Sequence, residues 1–245
     1  MPWYDWGMDE IERKVMQQAD RRGVALSAEQ IVSMAEYVRE VMDWNRRKNL
    51  VAAKSAERFV EEHVGDAMSL FGLCEQWAGA KLGDIGSGAG LPGVPLKVMF
   101  PKLEVTIIES SETKAVVLER IIARLDLGDV RVLCGRAEDV GRLEEYRGKF
   151  DLATARAVGS IGATAELALP LLMVGGLFFA QRGKVRGPEG KEAEAMIREL
   201  GGEIREIKSM GKGFRGGERQ LLLIKKRVRT PERYPRSGKA LGRVP

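Results

Sequence analysis

Apolar positions follow two rhythms along this chain. In the N-terminal third they recur with a helical period. Ile11, Val15 and the pair Gln18-Ala19 fall on one helical face. Ser27-Ala28-Glu29-Gln30 reads as a capping box, and it predicts a helix running to about Lys48 with Ile31, Met34, Ala35, Val38, Val41 and Met42 as its buried stripe. A third helix is expected over 56–77. The rhythm then changes to short β-rich runs near Leu82, Val105, Val130, Phe150, Gly176, Glu203 and Gln220. Helical patterns over 112–127, 161–172 and 188–200 occupy the intervals after the second, fourth and fifth runs. Strands alternating with helices predict an α/β fold, a mostly parallel seven-stranded sheet with helices on both faces. The last two runs are joined only by Met210-Gly-Lys-Gly-Phe-Arg-Gly-Gly217. That link suits an antiparallel hairpin better than a helical crossover, so the last strand is expected to run antiparallel. The expected organisation is an N-terminal helical region (1–78), an α/β domain (79–226) and a basic C-terminal tail (227–245).

The densest chemical signal lies just after the first strand. Asp84-Ile-Gly-Ser-Gly-Ala-Gly-Leu-Pro-Gly93 places Gly86, Gly88, Gly90 and Gly93 in one turn. Glycines admit positive φ and let backbone N–H groups approach a ligand closely. After the first strand of an α/β unit, such a loop marks a nucleotide-type cofactor site. A phosphate-binding Walker loop would end in Gly-Lys-Ser/Thr, whereas this one ends Leu91-Pro-Gly-Val-Pro95. The two prolines disfavour an immediate long helix whose N-terminus would receive a pyrophosphate. Asp84, just before the glycines, would repel a pyrophosphate and attract an ammonium group. The loop therefore favours S-adenosylmethionine over a dinucleotide. Glu109 ends the second β-rich run, Glu104-Val-Thr-Ile-Ile-Glu109, where an acid is the expected acceptor of ribose hydroxyls. Taken alone it reads equally as a solvated carboxylate at a strand end; after Asp84 and the glycines, the ribose role is favoured.

Composition narrows the partners. The chain has 245 residues, 31% charged and 44% hydrophobic, with a formal net charge of +5, as in ordinary globular proteins. The charge is uneven: Lys225, Lys226, Arg227, Arg229, Arg233, Arg236, Lys239 and Arg243 face a single acid, Glu232. Such a tail is expected to add little core and to meet a polyanion; a solubilising tail is the alternative. Cys74 and Cys134 sit in apolar runs and read as buried small hydrophobes of a reducing compartment. No metal-ligand spacing, secretory signal or long apolar span is visible, which leads to the expectation of a cytoplasmic protein without membrane or metal.

Several segments together resemble one family. The loop Asp84–Leu96 is similar to the cofactor loop of the GidB (RsmG) family, bacterial 16S rRNA guanine-N7 methyltransferases of the class I S-adenosylmethionine-dependent type. Asn49-Leu-Val-Ala52, His63-Val-Gly-Asp66, Gly135-Arg-Ala-Glu-Asp139, Phe150-Asp-Leu-Ala-Thr-Ala-Arg156-Ala-Val158, Gly217-Glu-Arg219 and Arg229-Thr-Pro-Glu-Arg-Tyr-Pro-Arg236 resemble further segments of that family. The resemblance spans about residues 45 to 236. It implies a Rossmann-like class I methyltransferase fold with an N-terminal helical extension. It also implies 16S rRNA or the 30S particle as partner, and a monomer is expected. Carried over residue by residue, it places Gly86, Gly88 and Leu91 of the loop on the cofactor, Ala137 and Glu138 against the adenosine, and Arg156 facing cofactor and substrate. Three positions depart from the family pattern: Glu109 replaces the usual aspartate, Ala115 follows Lys114 where Lys-Arg is frequent, and Gln181-Arg182 stands where the fifth strand commonly ends in lysine.

The remaining residues bear on the target atom. Methylation at pyrimidine carbon-5 needs a cysteine nucleophile, and neither Cys74 nor Cys134 lies in a loop after a predicted strand with a proline neighbour. Adenine amines are commonly served by an Asp/Asn-Pro-Pro-aromatic turn after the fourth strand, where this chain has Thr154-Ala-Arg-Ala-Val158. Guanine N7 offers a lone pair and no proton, so it requires alignment and no general base. Arg156 reads as a clamp on a phosphate or on guanine O6, or as the partner of Asp84, Glu109 or Glu138. His63 reads as a substrate contact or as a hydrogen-bonded core histidine. Trp3, Tyr4 and Trp6 read as a packing plug or as base-stacking groups. A small-molecule methyltransferase of the same fold is the alternative function, and the basic tail and link argue against it.

Overall fold

The helical period of the N-terminal third is realised almost as read in the computed structural model, which describes residues 7–74, 78–156, 158–183, 188–212 and 217–237. Helix α1 spans Glu10–Arg21, capped by Asp9 with Glu12 closing the box. Helix α2 spans Ala28–Lys48, and Ser27 and Gln30 form the expected capping box. Five of the six stripe residues are buried, Met42 is half-buried, and Tyr37 joins them. The expected helix over 56–77 is broken. It comprises α3 (Ala56–Phe59), a π-helical turn (Val60–Val64), α4 (Gly65–Met68) and a separate α5 (Phe71–Cys74). A π turn inserts one residue and rotates the next turn of helix around the axis, which a plain 3.6-residue period does not reveal.

The seven strands are β1 (Lys81–Ile85), β2 (Glu104–Glu109), β3 (Val130–Cys134), β4 (Phe150–Arg156), β5 (Leu172–Gly183), β6 (Gly202–Lys212) and β7 (Glu218–Lys226). Their order is β3-β2-β1-β4-β5-β7-β6. All pairs are parallel except those of β7, which runs antiparallel to both β5 and β6. The connecting helices are α6 (Gly93–Met99), α7 (Glu112–Arg124), α8 (Ala137–Val140), α9 (Ile161–Ala168) and α10 (Pro188–Glu199). Helices α6 and α8 add to the predicted set; each is too short to display a period, and α6 carries Pro95 in its first turn, where a missing N–H costs nothing.

Two hydrophobic clusters line the sheet. One joins Val15, Met34, Val38 and Phe59 of the N-terminal helices to Leu82, Val105, Ile107 and Leu118. The other joins Ile85, Ala153, Phe178 and Ile224 to α9, α10 and Tyr234. The N-terminal helices thus share a core with β1 and β2. Tyr234 marks a correction: residues 227–237 of the basic segment dock on the body instead of trailing from it. Arg147 donates to the carbonyls of Thr230 and Tyr234 at 3.0 and 2.8 Å. Arg236 forms a two-pronged ion pair with Glu166, whose side chain is wholly buried. A buried carboxylate on α9 needs a cation, and charge counting along the tail does not reveal that need. Residues 238–245, Trp3, Tyr4, Trp6 and positions 213–216 of the basic link lie outside the described residues, as does the side chain of Cys74. Cys134, expected inside, is exposed at the end of the edge strand β3. Among the described residues no helix is long and apolar enough to cross a membrane, and no group of His, Cys, Asp and Glu is assembled to hold a metal.

Candidate cofactor and substrate site

The strand order reverses between β1 and β4, and ligands of open α/β sheets bind outside the carboxyl ends of the strands at such a switch point. The expected site residues all reach that edge. Asp84 closes β1, the glycine loop comes next, Glu109 ends β2, Ala137 and Glu138 open α8 beyond β3, and Arg156 ends β4.

Gly86 has φ +66°, and a Cβ there would stand 2.8 Å from Val158 Cγ2, so a side chain is excluded by both backbone and space. The loop is pegged from inside. Asp84 is 0% exposed. Its Oδ1 accepts from Thr154 Oγ1 at 2.9 Å, and its Oδ2 accepts from Gly93 N at 2.9 Å and from Ser87 Oγ. Burial pushes this carboxyl up, against the pull of those hydrogen bonds. The expectation that Asp84 faces a ligand ammonium at the loop mouth is corrected here: both its oxygens turn inward, tying β1, β4 and the loop together. Glu109 pegs the other side: Oε2 accepts from Gly88 N at 3.0 Å and Oε1 from Ser111 N at 2.8 Å. Each oxygen keeps a lone pair beyond its single backbone donor. Tyr37 braces the loop from α2 by donating to the Ala89 carbonyl at 2.8 Å. Leu91 is buried in the first cluster, Ala137 and Glu138 are buried, and Glu138 accepts from Arg136 Nε at 2.8 Å.

Beside this loop stands a cationic cluster that the sequence discloses only in part. Arg156, with a side chain 20% exposed, lies 3.8 Å from Asp66 Oδ2. Its expected partners were Asp84, Glu109 and Glu138; the partner is Asp66 because the helical segment before β1 folds over the end of β4. Arg156 Nη1 is 2.9 Å from His63 Nδ1. A guanidinium only donates, so Nδ1 is the acceptor and the proton sits on Nε2. That Nε2 is buried and has no hydrogen-bond partner. Burial, then Arg156 and Arg219, push the imidazole pKa down to about 3, and its ring packs edge-on to Phe59 at 5.4 Å. Arg219, near the start of β7, also binds Asp66 and donates to the Glu62 carbonyl at 3.4 Å. Gln181 anchors the segment to β5 through the Asp66 carbonyl at 2.9 Å. Arg22, the C-cap of α1, completes the group: its guanidinium lies against Gly65, where a Cβ would meet Nη2 at 2.7 Å. His63 and Asp66 share a helical face at i, i+3; that spacing was the available sequence signal. Nothing local pointed to Arg22.

The loop fits a class I cofactor: an inward-pegged turn that excludes a Cβ at Gly86, an acid with free lone pairs at the end of β2, and small or apolar residues at Leu91 and Ala137. The model of the family described as GidB, rRNA small subunit methyltransferase G, matches residues 30–222. Relatives named ribosomal RNA small subunit methyltransferase G are 34% identical over 224 residues in Bacillus cytotoxicus (91% of this chain, 94% of the relative) and 36% identical over 225 residues in Desulfitobacterium hafniense (92% and 93%). Among solved structures, an O-methyltransferase from Bacillus cereus in complex with SAH is similar, with a TM-score of 0.59, 19% identity and coverage of 88% of this chain and 100% of that one. The [4+2]-cyclase SpnF matches with the same TM-score at 14% identity, covering 84% and 98%. Those two share the fold, and a cyclase among them shows that this fold alone does not specify methyl transfer. The family match over most of the chain does: this chain belongs to the GidB family of rRNA small subunit methyltransferases.

Proposed function

We propose that this chain transfers the methyl group of S-adenosylmethionine to N7 of one guanine in 16S rRNA, acting as a cytoplasmic monomer on free rRNA or on the 30S particle. The observation that carries the reading is the adjacency of the pegged glycine loop and the arginine cluster on one sheet edge. When bound, S-adenosylmethionine supplies a methyl group on a positively charged sulfur. Gly86, Gly88 and Leu91 line its place in the loop, Glu109 accepts the ribose hydroxyls, and Ala137 and Glu138 border the adenine. Asp84 acts through the loop whose shape it holds. Arg156 clamps the substrate. Guanine N7 carries a lone pair and no proton, so orientation supplies the catalysis and no base is needed. His63 suits this arrangement: with a pKa of about 3 it is a poor base at neutral pH and a fixed acceptor for Arg156.

The test traces labelled methyl from S-adenosylmethionine into 16S rRNA, 30S particles and a metabolite extract, with mass mapping of the rRNA product. Label at a guanine N7 is expected, and the Gly86→Val protein should lose both transfer and cofactor binding by calorimetry. Label confined to the extract would replace this function with small-molecule methylation. A Gly86→Val protein of unchanged cofactor affinity would remove the loop from the site.

A further inference from the structure

The cluster around Asp66 gathers three guanidiniums on one carboxylate. Arg22, Arg156 and Arg219 all act on Asp66, and the imidazole of His63 beside them is neutral. Asp84 also acts on Arg156, and Glu62 on Arg219. Gln18 Oε1 accepts from Arg22 at 2.5 Å, His63 Nδ1 from Arg156 at 2.9 Å and the Glu62 carbonyl from Arg219 at 3.4 Å. The buried His63 Nε2 has no hydrogen-bond partner. Crowded cations are held together at a cost in free energy unless an anion joins them.

The placement is built. The π turn (Val60–Val64) ends where Gly65 begins, and π turns inside helices recur at functional sites. Gly65 interrupts the side-chain surface of α4, so the guanidinium of Arg22 lies on the helix backbone itself. The side chains of Arg156 and Arg219 remain 20% and 25% exposed, so a ligand reaches them from the sheet edge beside the glycine loop.

We infer that Arg22, Arg156 and Arg219 form a binding site for one phosphodiester of the RNA backbone, which holds the strand so that the target base enters beside the glycine loop. This rests on the rRNA reading above and assigns the place on the protein that grips the chain. A guanidinium fork matches phosphate oxygens, and a phosphodiester brings acceptors and negative charge together. Asp66 presents the arginines and keeps them from splaying apart when no RNA is bound.

Two variants test the site without touching the loop. Arg22→Gln removes one cation. Gly65→Ala removes no charge, yet its methyl group displaces the Arg22 guanidinium, and alanine suits a helix better than glycine. Binding of a 16S rRNA transcript is measured across a salt series, with cofactor affinity measured in parallel by calorimetry. Both variants are expected to flatten the slope of log affinity against log salt, by up to about 0.7–0.9, the contribution of one phosphate, with cofactor affinity unchanged. Equal loss in the charge-neutral Gly65→Ala protein separates a built site from bulk positive charge. Slopes unchanged in both variants, or a loss of cofactor affinity in place of RNA affinity, would overturn the inference. Failure of the rRNA reading is separately visible, since it would leave wild-type protein transferring no label to rRNA.

Discussion

His63 shows what burial among cations does to a single residue. Its pKa of about 3 lies below the ordinary value near 6.5 of an unfolded chain. As pH falls through 6.5 the unfolded chain takes up a proton that the folded one refuses. The stability contribution is therefore full above 6.5 and is lost progressively as pH drops toward 3, at about 1.4 kcal/mol per pH unit. Urea unfolding at pH 7 and pH 5 should show a loss in wild type that is larger by roughly 2 kcal/mol than in the His63→Asn protein. Equal losses in the two proteins would mean that the imidazole titrates normally. Asp84 makes a related point in a different chemistry: the position was legible from its place before the glycines, but the direction of its carboxylate was set by Thr154, Gly93 and Ser87, two of which lie nearby in sequence and one on a neighbouring strand.

Among the elements, the end of β7 and the segment after it carry more structure than their charge suggests. Lys226 is buried, and its ammonium donates to the carbonyls of Leu169 and Leu200, just beyond α9 and α10, and to Thr230. Burial holds its pKa down to about 7. Tyr234 is 6% exposed and donates to Glu199 at 2.6 Å. Truncation after Lys225 removes these groups together with Arg236, the partner of buried Glu166. Orphaned carbonyls and an unpaired buried carboxylate each cost about 1–5 kcal/mol, so that protein should lose more than about 4 kcal/mol or fail to fold. A wild-type midpoint after this truncation would show that the docked segment contributes nothing. Docking leaves Arg227, Arg229 and Arg233 exposed, so much of the positive charge of this segment stays on the surface.

On the scale of the whole molecule, the N-terminal helices and the sheet have one continuous core on the face where α2 meets α6 and α7. Helices whose buried stripe is shared with α6 and α7 do not keep it fully buried once that layer is lost. All four tryptophans, Trp3, Trp6, Trp44 and Trp77, fall within residues 1–78, so fluorescence reports on that region while amide circular dichroism reports on the whole. The two denaturation curves should coincide, the signature of a single cooperative unit. A fluorescence transition displaced from the other would reveal a helical region that folds alone.

The sequence by itself determined what local rules specify: seven strands in their positions, the capping box at Ser27, the antiparallel return of the last strand, the glycine loop, and Glu109 at the end of β2. Turn residues, caps and hydrophobic period act over a few neighbours, so they can be read from the chain. The segments similar to the GidB family added the identity of the cofactor loop. Helices α6 and α8 escaped because a turn or two shows no period, and the break at Val60–Val64 escaped because the inserted residue leaves composition unchanged. Only the tertiary structure decided that Arg156 answers to Asp66, that Arg219 joins them across 153 residues of chain, that Arg22 lies on the backbone of Gly65, and that Arg236 neutralises Glu166. Those pairings depend on which faces meet when the core closes: burial makes each unpaired charge costly, and the fold alone decides which opposite charge is within reach.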